Sequence, residues 1–169
     1  MSSLDKFKRI SVLIGIPTRG LWKDEFGMSL CAMIAYFMAH KIGYREEMIR
    51  PLNVKGSILS NQRLDIVKDA VAKKMTHILF VDDDQTYPKD TVHRLMKHDK
   101  DVVACNIATK QIPAQPTARY KSDSRPYHGA LAYNDPRKGL EKVWRVGTGV
   151  MLIRTKVFDT IGLNVFGNP

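Results

Sequence analysis

The chain has 169 residues, 44% hydrophobic and 26% charged, with a net charge of +10. That is enough for one globular, soluble domain with a real core. The longest apolar run, Met28 to Ala39, is too short to span a bilayer, and MSSLDKFKRI carries no apolar signal-peptide region, so a cytoplasmic location is expected.

Ile10 to Ile16 is a β-rich apolar run closed by Pro17 and reads as a buried parallel strand. Phe26 to Ile42 reads as a helix with Gly43 as its C-cap. Met48 to Val54 is a second strand, although Pro51 argues against a central one. Ser60 to Met75 is amphipathic, with Leu64, Val67, Val71 and Met75 spaced for one face. His77 to Val81 is the next buried strand. Pro88 to His98 is a helix opened by proline, with Val92, Leu95 and Met96 facing inward. Asp101 to Ile107 is a further strand. Cys31 and Cys105 lack metal-ligand spacing and read as buried thiols of a reducing compartment.

This alternation predicts an open α/β sheet. After residue 108 the pattern changes to prolines, tyrosines and weak alternations such as Thr117–Tyr120 and Ala130–Tyr133. A small antiparallel portion is expected there. Val150 to Arg154 is a last apolar strand, and Thr155 is positioned to cap a short helix to Ile161. The ending Phe166-Gly167-Asn168-Pro169 completes no element, which suggests a longer natural domain.

The positive charge is uneven, with nine Lys and Arg against four Asp and Glu in residues 100–145. A positive field favours anionic ligands such as nucleotide diphosphates, nucleic acid or anionic lipid; solubility is the plainer reading.

The chemistry concentrates in ILFVDDDQTYP, residues 78–88. Three adjacent carboxylates repel one another and resist desolvation. They follow a buried strand, and open α/β sheets bind ligands beyond such strand ends. If the chain stays extended, Asp82 and Asp84 share one side and Asp83 points away. Two carboxylates on one side suit a hard cation, Mg or Mn. The alternative is an acidic turn that feeds oxygens to the next helix. A response-regulator receiver, a toprim domain and a haloacid-dehalogenase-type phosphatase each need an acid on or after the first strand. Here that strand ends Ile16-Pro17-Thr18-Arg19-Gly20.

Four segments, in order, resemble a GT-A-fold glycosyltransferase of the family 2-like group. They are VLIGIPTRG (12–20), GSILSNQRLDIVKDAV (56–71), HILFVDDDQTYPKDTVHRLMKHDKDVVAC (77–105) and VGTGVMLIRTKVFDTIG (146–162). DxD alone is a weak motif. Followed by an aromatic-Pro helix start and a downstream GTGxxLIR, it is stronger. The resemblance implies one Rossmann-like GT-A domain over 1–169, with a nucleotide-binding half at 1–108 and a donor-sugar and acceptor half at 109–169. The sheet would be mostly parallel, with helices on both faces.

The same resemblance implies site residues. Asp84 is the direct metal ligand, and Asp82 contacts the ribose or the water shell of the metal. Asp83, between them in the donor-binding motif, matters less. Pro17, Thr18 and Arg19 match the loop that holds base and ribose. Arg63 matches an arginine near the donor, with an exposed helix-start arginine as the alternative. Gly147, Thr148 and Gly149 match the strand that the donor sugar approaches, with a bulge or bend as the alternative. The implied cofactor is Mn or Mg, and the implied activity is sugar transfer from a nucleotide-diphospho-sugar to an acceptor hydroxyl.

The pattern departs from the family at its end. The usual catalytic acid and the later metal-ligating His are absent from 1–169, and Asp159 reads as surface. His128 is a possible substitute, though a lone His in a Tyr-Pro-rich loop is more often plain surface. Two other classes therefore stand beside the enzyme reading: a non-catalytic nucleotide- or nucleic-acid-binding module, and a nucleotidyltransferase. The sequence names neither sugar, base nor acceptor.

Overall fold

The computed structural model describes residues 9–121, 130–132 and 139–163. Its centre is a five-stranded sheet in the order β2-β1-β3-β7-β4. The strands are β1 (Arg9–Thr18), β2 (Glu46–Lys55), β3 (His77–Val81), β4 (Val102–Ala104) and β7 (Val150–Arg154). β1 runs parallel to both β2 and β3. β7 is antiparallel to β3 on one side and to β4 on the other. Four of the five strands therefore point the same way, and the last one is inserted between two earlier ones. A short pair, β5 (Arg119–Tyr120) with β6 (Ala130–Leu131), forms the antiparallel portion after residue 108.

The strands read as continuous apolar runs because helices cover both faces. Ile10, Val12, Ile14 and Ile16 of β1, with Leu79 and Val81 of β3, pack toward α1 (Asp24–Ala39) and α3 (Thr91–Lys97). Leu13, Ile78 and Phe80 point the other way, toward α2 (Leu59–Ala72) and α4 (Val157–Ile161). The alternation along each strand is the period of two that a pleated backbone imposes. Gly15 lets α2 sit close, since an added Cβ would lie 2.5 Å from Ile66 Cγ2.

Several local expectations shift. α1 stops at Ala39, and its last turn is closed by His40 N–H donating to the Tyr36 carbonyl, so Gly43 (φ 113°) turns the following loop instead of capping the helix. The buried face of α1 is Phe26, Leu30, Met33 and Phe37, which leaves Cys31 exposed. The buried face of α2 is Gln62, Ile66, Val67 and Ala70, and Val71 is exposed. That rotation brings one polar side chain, Gln62, to the sheet. Pro51 sits in β2, an edge strand, where a missing N–H is tolerated. α3 begins at Thr91, whose hydroxyl and N–H both donate to the Pro88 carbonyl; Pro88 belongs to the turn before it. β4 is shorter than Asp101–Ile107, because the chain leaves β7 for a loop after Cys105, whose N–H makes a last bond to the Val150 carbonyl. Thr155 does not cap α4. Its hydroxyl donates to the Met75 carbonyl at 2.6 Å and so ties the end of β7 to the turn before β3.

Candidate functional site

The acids leave the sheet where β3 ends. Val81 is the last strand residue, and residues 83–84 form a turn, so alternation along an extended chain does not govern their directions. They separate by partner instead. Asp82 faces Arg63, with Arg63 Nη2 3.6 Å from Asp82 Oδ1. Asp84 pairs with the ammonium of Lys110. Asp83 lies in the turn between them and is partly buried.

Two backbone contacts fix Asp82. Its N–H donates to the Gly149 carbonyl at 3.1 Å. The Tyr87 hydroxyl donates to its carbonyl at 2.5 Å, with the Gly149 carbonyl at 3.3 Å. Tyr87 is 7% exposed, packs edge-on against Phe26, and burial raises its phenol well above the ordinary range. It therefore stays a neutral donor and clamps the end of β3 to the start of β7. The sequence marks Tyr87 only as part of an aromatic-Pro step, and its partner is 62 residues away.

Gly149 is the close-approach residue of the site. A Cβ there would come within 2.9 Å of Asp82 Oδ2, 2.8 Å of Gln85 Nε2 and 2.5 Å of Ile107 Cδ1. The antiparallel pairing of Val81 with Val150 places it there. Gly147 precedes it in irregular chain and Thr148 in a bend, neither in a strand. At Gly147 an added Cβ would lie 3.1 Å from Thr117 Cβ, so this glycine lets the 107–117 loop approach.

Arg63 is not an exposed helix-start residue. Its side chain is 15% exposed, and its Nε is buried with no hydrogen-bond partner. Burial lowers its pKa, and the Asp82 charge works against that. Burial likewise raises the Asp82 carboxyl; Arg63 opposes the shift, while Asp84 and Asp83 add to it. Both partners are shifted chiefly by desolvation, so their mutual attraction does not fully offset it. Arg63 therefore keeps one buried donor, Nε, without a protein partner, while Nη2 faces Asp82.

Gln62, one residue earlier, was not singled out from the sequence. It is 5% exposed, and its amide nitrogen lies 2.6 Å from the Thr18 carbonyl, 3.0 Å from Gly56 and 3.1 Å from Val54. It ties α2 to the ends of β1 and β2 and thereby sets where Arg63 starts. Pro17 and Thr18 are strand residues rather than loop residues, and both are buried, because β1 stays paired with β2 to its last residue. The Thr18 hydroxyl accepts the Gly20 N–H. Of the three predicted loop residues, Arg19 alone faces solvent. His128 lies outside the described residues, and Asp159 is exposed on α4.

Asp82 and Asp84 are the kind of oxygen donor that a hard divalent cation takes. Both offer part-exposed carboxylate oxygens, and the missing Cβ of Gly149 lets Asp82, Gln85 and Ile107 crowd against the backbone of β7. Among the described residues no group of three or more His, Cys, Asp or Glu is arranged around a common metal position. A cation here would therefore take its other oxygens from water and from a bound phosphate, as Mg does. Nor is any helix among the described residues long and apolar enough to cross a membrane.

No family model and no curated protein sequence matches the chain. Solved structures do. The crystal structure of A197 from STIV superposes with a TM-score of 0.54 at 14% identity, covering 89% of this chain and 67% of that one. That of 4-diphosphocytidyl-2C-methyl-D-erythritol synthase gives a TM-score of 0.45 at 13% identity, covering 95% of this chain and 82% of that one. At such identities the A197 likeness bears on the fold alone, and the weaker superposition carries no argument. The chain has a Rossmann-like α/β fold, a mostly parallel five-stranded sheet between two layers of helices.

Proposed function

We propose that this chain binds a nucleotide-diphospho-sugar and acts as the donor site of a GT-A-like glycosyltransferase. One observation carries the reading: Asp82 and Asp84 stand at the carboxyl end of β3 with the under-partnered Arg63 beside them and the bare backbone of Gly149 packed against Asp82. Carboxylates that hold a cation and a guanidinium for a diphosphate are what such a donor requires.

In the transfer, the bond from the anomeric carbon to the diphosphate oxygen breaks as a bond to the acceptor oxygen forms. The acceptor proton leaves to a base outside these donor-binding residues. Asp84 and Asp82 would hold Mg or Mn, which supplies Lewis-acid stabilisation of the departing diphosphate. Arg63 adds a fixed positive charge that strengthens its hold as charge grows on that group. Tyr87 keeps Asp82 and Gly149 in register through both carbonyls. Arg19, exposed beyond β1, is the residue of Pro17-Thr18-Arg19 free to meet the nucleotide. Gly147 and Thr148 shape the bend behind Gly149.

Calorimetric titration of a nucleoside diphosphate with Mn tests the reading. Asp84→Asn should weaken Mn-dependent binding on the order of 100-fold, the scale of losing one partner of a charged contact. Equal binding without Mn and in the variant would end the proposal. Products separate the enzyme classes: a glycosyltransferase releases a nucleoside diphosphate, whereas a nucleotidyltransferase releases pyrophosphate from a triphosphate.

A further inference from the structure

Lys110 belongs to no motif in the sequence, yet its ammonium lies on Asp84, the expected metal ligand. It gets there by construction. The segment after β4 doubles back as a hairpin closed at its base: Thr117 N–H donates to the Ile107 carbonyl at 2.9 Å. Thr109 N–H donates to the Gln115 carbonyl at 2.7 Å, and Gln115 N–H donates to Thr109 Oγ1 at 3.0 Å. Ala108 and Pro116 form a bridge. Lys110 follows Thr109 directly, so the closed hairpin carries it, while its side chain stays 73% exposed.

The two cations at the site differ in kind. Arg63 is planar and largely enclosed, with 15% of its side chain exposed. Lys110 is a compact charge on a flexible stem in water. An exposed pair of this type is weak and easily exchanged. A divalent ion outcompetes one ammonium at the same carboxylate because it brings twice the charge. The displaced ammonium would then be left on its closed hairpin beside the cation and its ligands.

We propose that Lys110 is an exchangeable counter-charge. It neutralises Asp84 while the site is free of ligand, and it transfers to the diphosphate when Asp84 is given over to a divalent cation. This rests on the donor-site reading and adds to it a residue and an order of events: cation binding at Asp84 releases the lysine that helps to hold the diphosphate.

The test uses Mn alone and inorganic pyrophosphate, a probe independent of the base, with the whole chain. Lys110→Met should bind Mn about two- to fivefold more tightly, since the competing exposed pair is gone. With Mn saturating, the same variant should bind pyrophosphate about tenfold more weakly, the worth of one charged contact. Lys110→Arg should keep pyrophosphate binding near wild type. If Lys110→Met leaves both affinities unchanged while Asp84→Asn loses Mn, Lys110 is only a surface pair and the donor reading stands without it. If the wild-type chain binds neither Mn nor pyrophosphate, both proposals fall.

Discussion

The two ends of β3 are built from similar residues to opposite purposes. At its amino end the polar groups satisfy one another. Ser11 N–H donates to Thr76 Oγ1 at 2.9 Å, and Thr76 N–H donates to Ser11 Oγ at 3.0 Å. Thr76 Oγ1 also donates to the Ser11 carbonyl, and Thr155 ties β7 to the same turn. Arg154 bridges Asp99 and Asp101. At the carboxyl end Arg63 Nε and Thr117 Oγ1 are buried without partners, the Arg63–Asp82 pair stands at 3.6 Å, and three acids are crowded. Satisfied polar groups hold an element in place, whereas buried unsatisfied ones cost the fold free energy. The amino end is therefore the anchor of the strand, and the carboxyl end is where polar groups are left over.

That contrast can be broken from either side. The largest effect on stability is expected from acid. Burial and the Arg154 charge hold His77 at a pKa of about 4, below its ordinary 6.5. The unfolded chain protonates this imidazole first, so the stability is complete above pH 6.5 and is lost as the pH falls from there toward 4. The loss reaches about 3 kcal/mol, and denaturant melts of wild type and His77→Gln across that range should differ in slope.

Thr76→Val comes next. It removes the acceptor of a buried backbone N–H at Ser11, which is 0% exposed, and should cost about 2 kcal/mol in a urea titration. Its pyrophosphate affinity should match wild type; a large drop would mean that the two ends are coupled. Gly149→Ala makes the opposite separation. Its new Cβ meets only the far ends of side chains, so the stability cost should be about 1 kcal/mol. Asp82 must turn away, however, and Mn-dependent diphosphate binding should fall about tenfold or more by calorimetry. Smallest is Arg154→Ala. Asp99 and Asp101 are largely exposed, at 81% and 54%, so the melting point should move by less than about 1 kcal/mol in equivalent stability.

Much of the frame was legible from the residues. The run Ile78 to Val81 carries its own strand signal, and it delivers the acids to a predictable edge because strand direction fixes which end they occupy. Helix positions followed from apolar spacing, but faces did not always. Leu64 and Val71 fit a helical stripe, yet α2 turns Gln62, Ile66 and Ala70 to the sheet because the ends of β1 and β2 leave carbonyls for Gln62 to bind. Asp82 and Asp84 were readable as a pair, but their separate partners were not. Those depend on a turn at residues 83–84 that no alternation rule foresees.

The sequence by itself determined what local physics controls: which segments become strands and helices, that the sheet is covered on both faces, and that carboxylates crowd one strand end. Only the tertiary structure decided what meets them there. β7 enters the sheet antiparallel between β3 and β4, which brings Gly149 against Asp82. A hairpin closed at Ile107 and Thr117 brings Lys110 onto Asp84. These contacts join residues from 26 to 67 positions apart. Their register is set by the packing of the whole sheet, which no short stretch of sequence records.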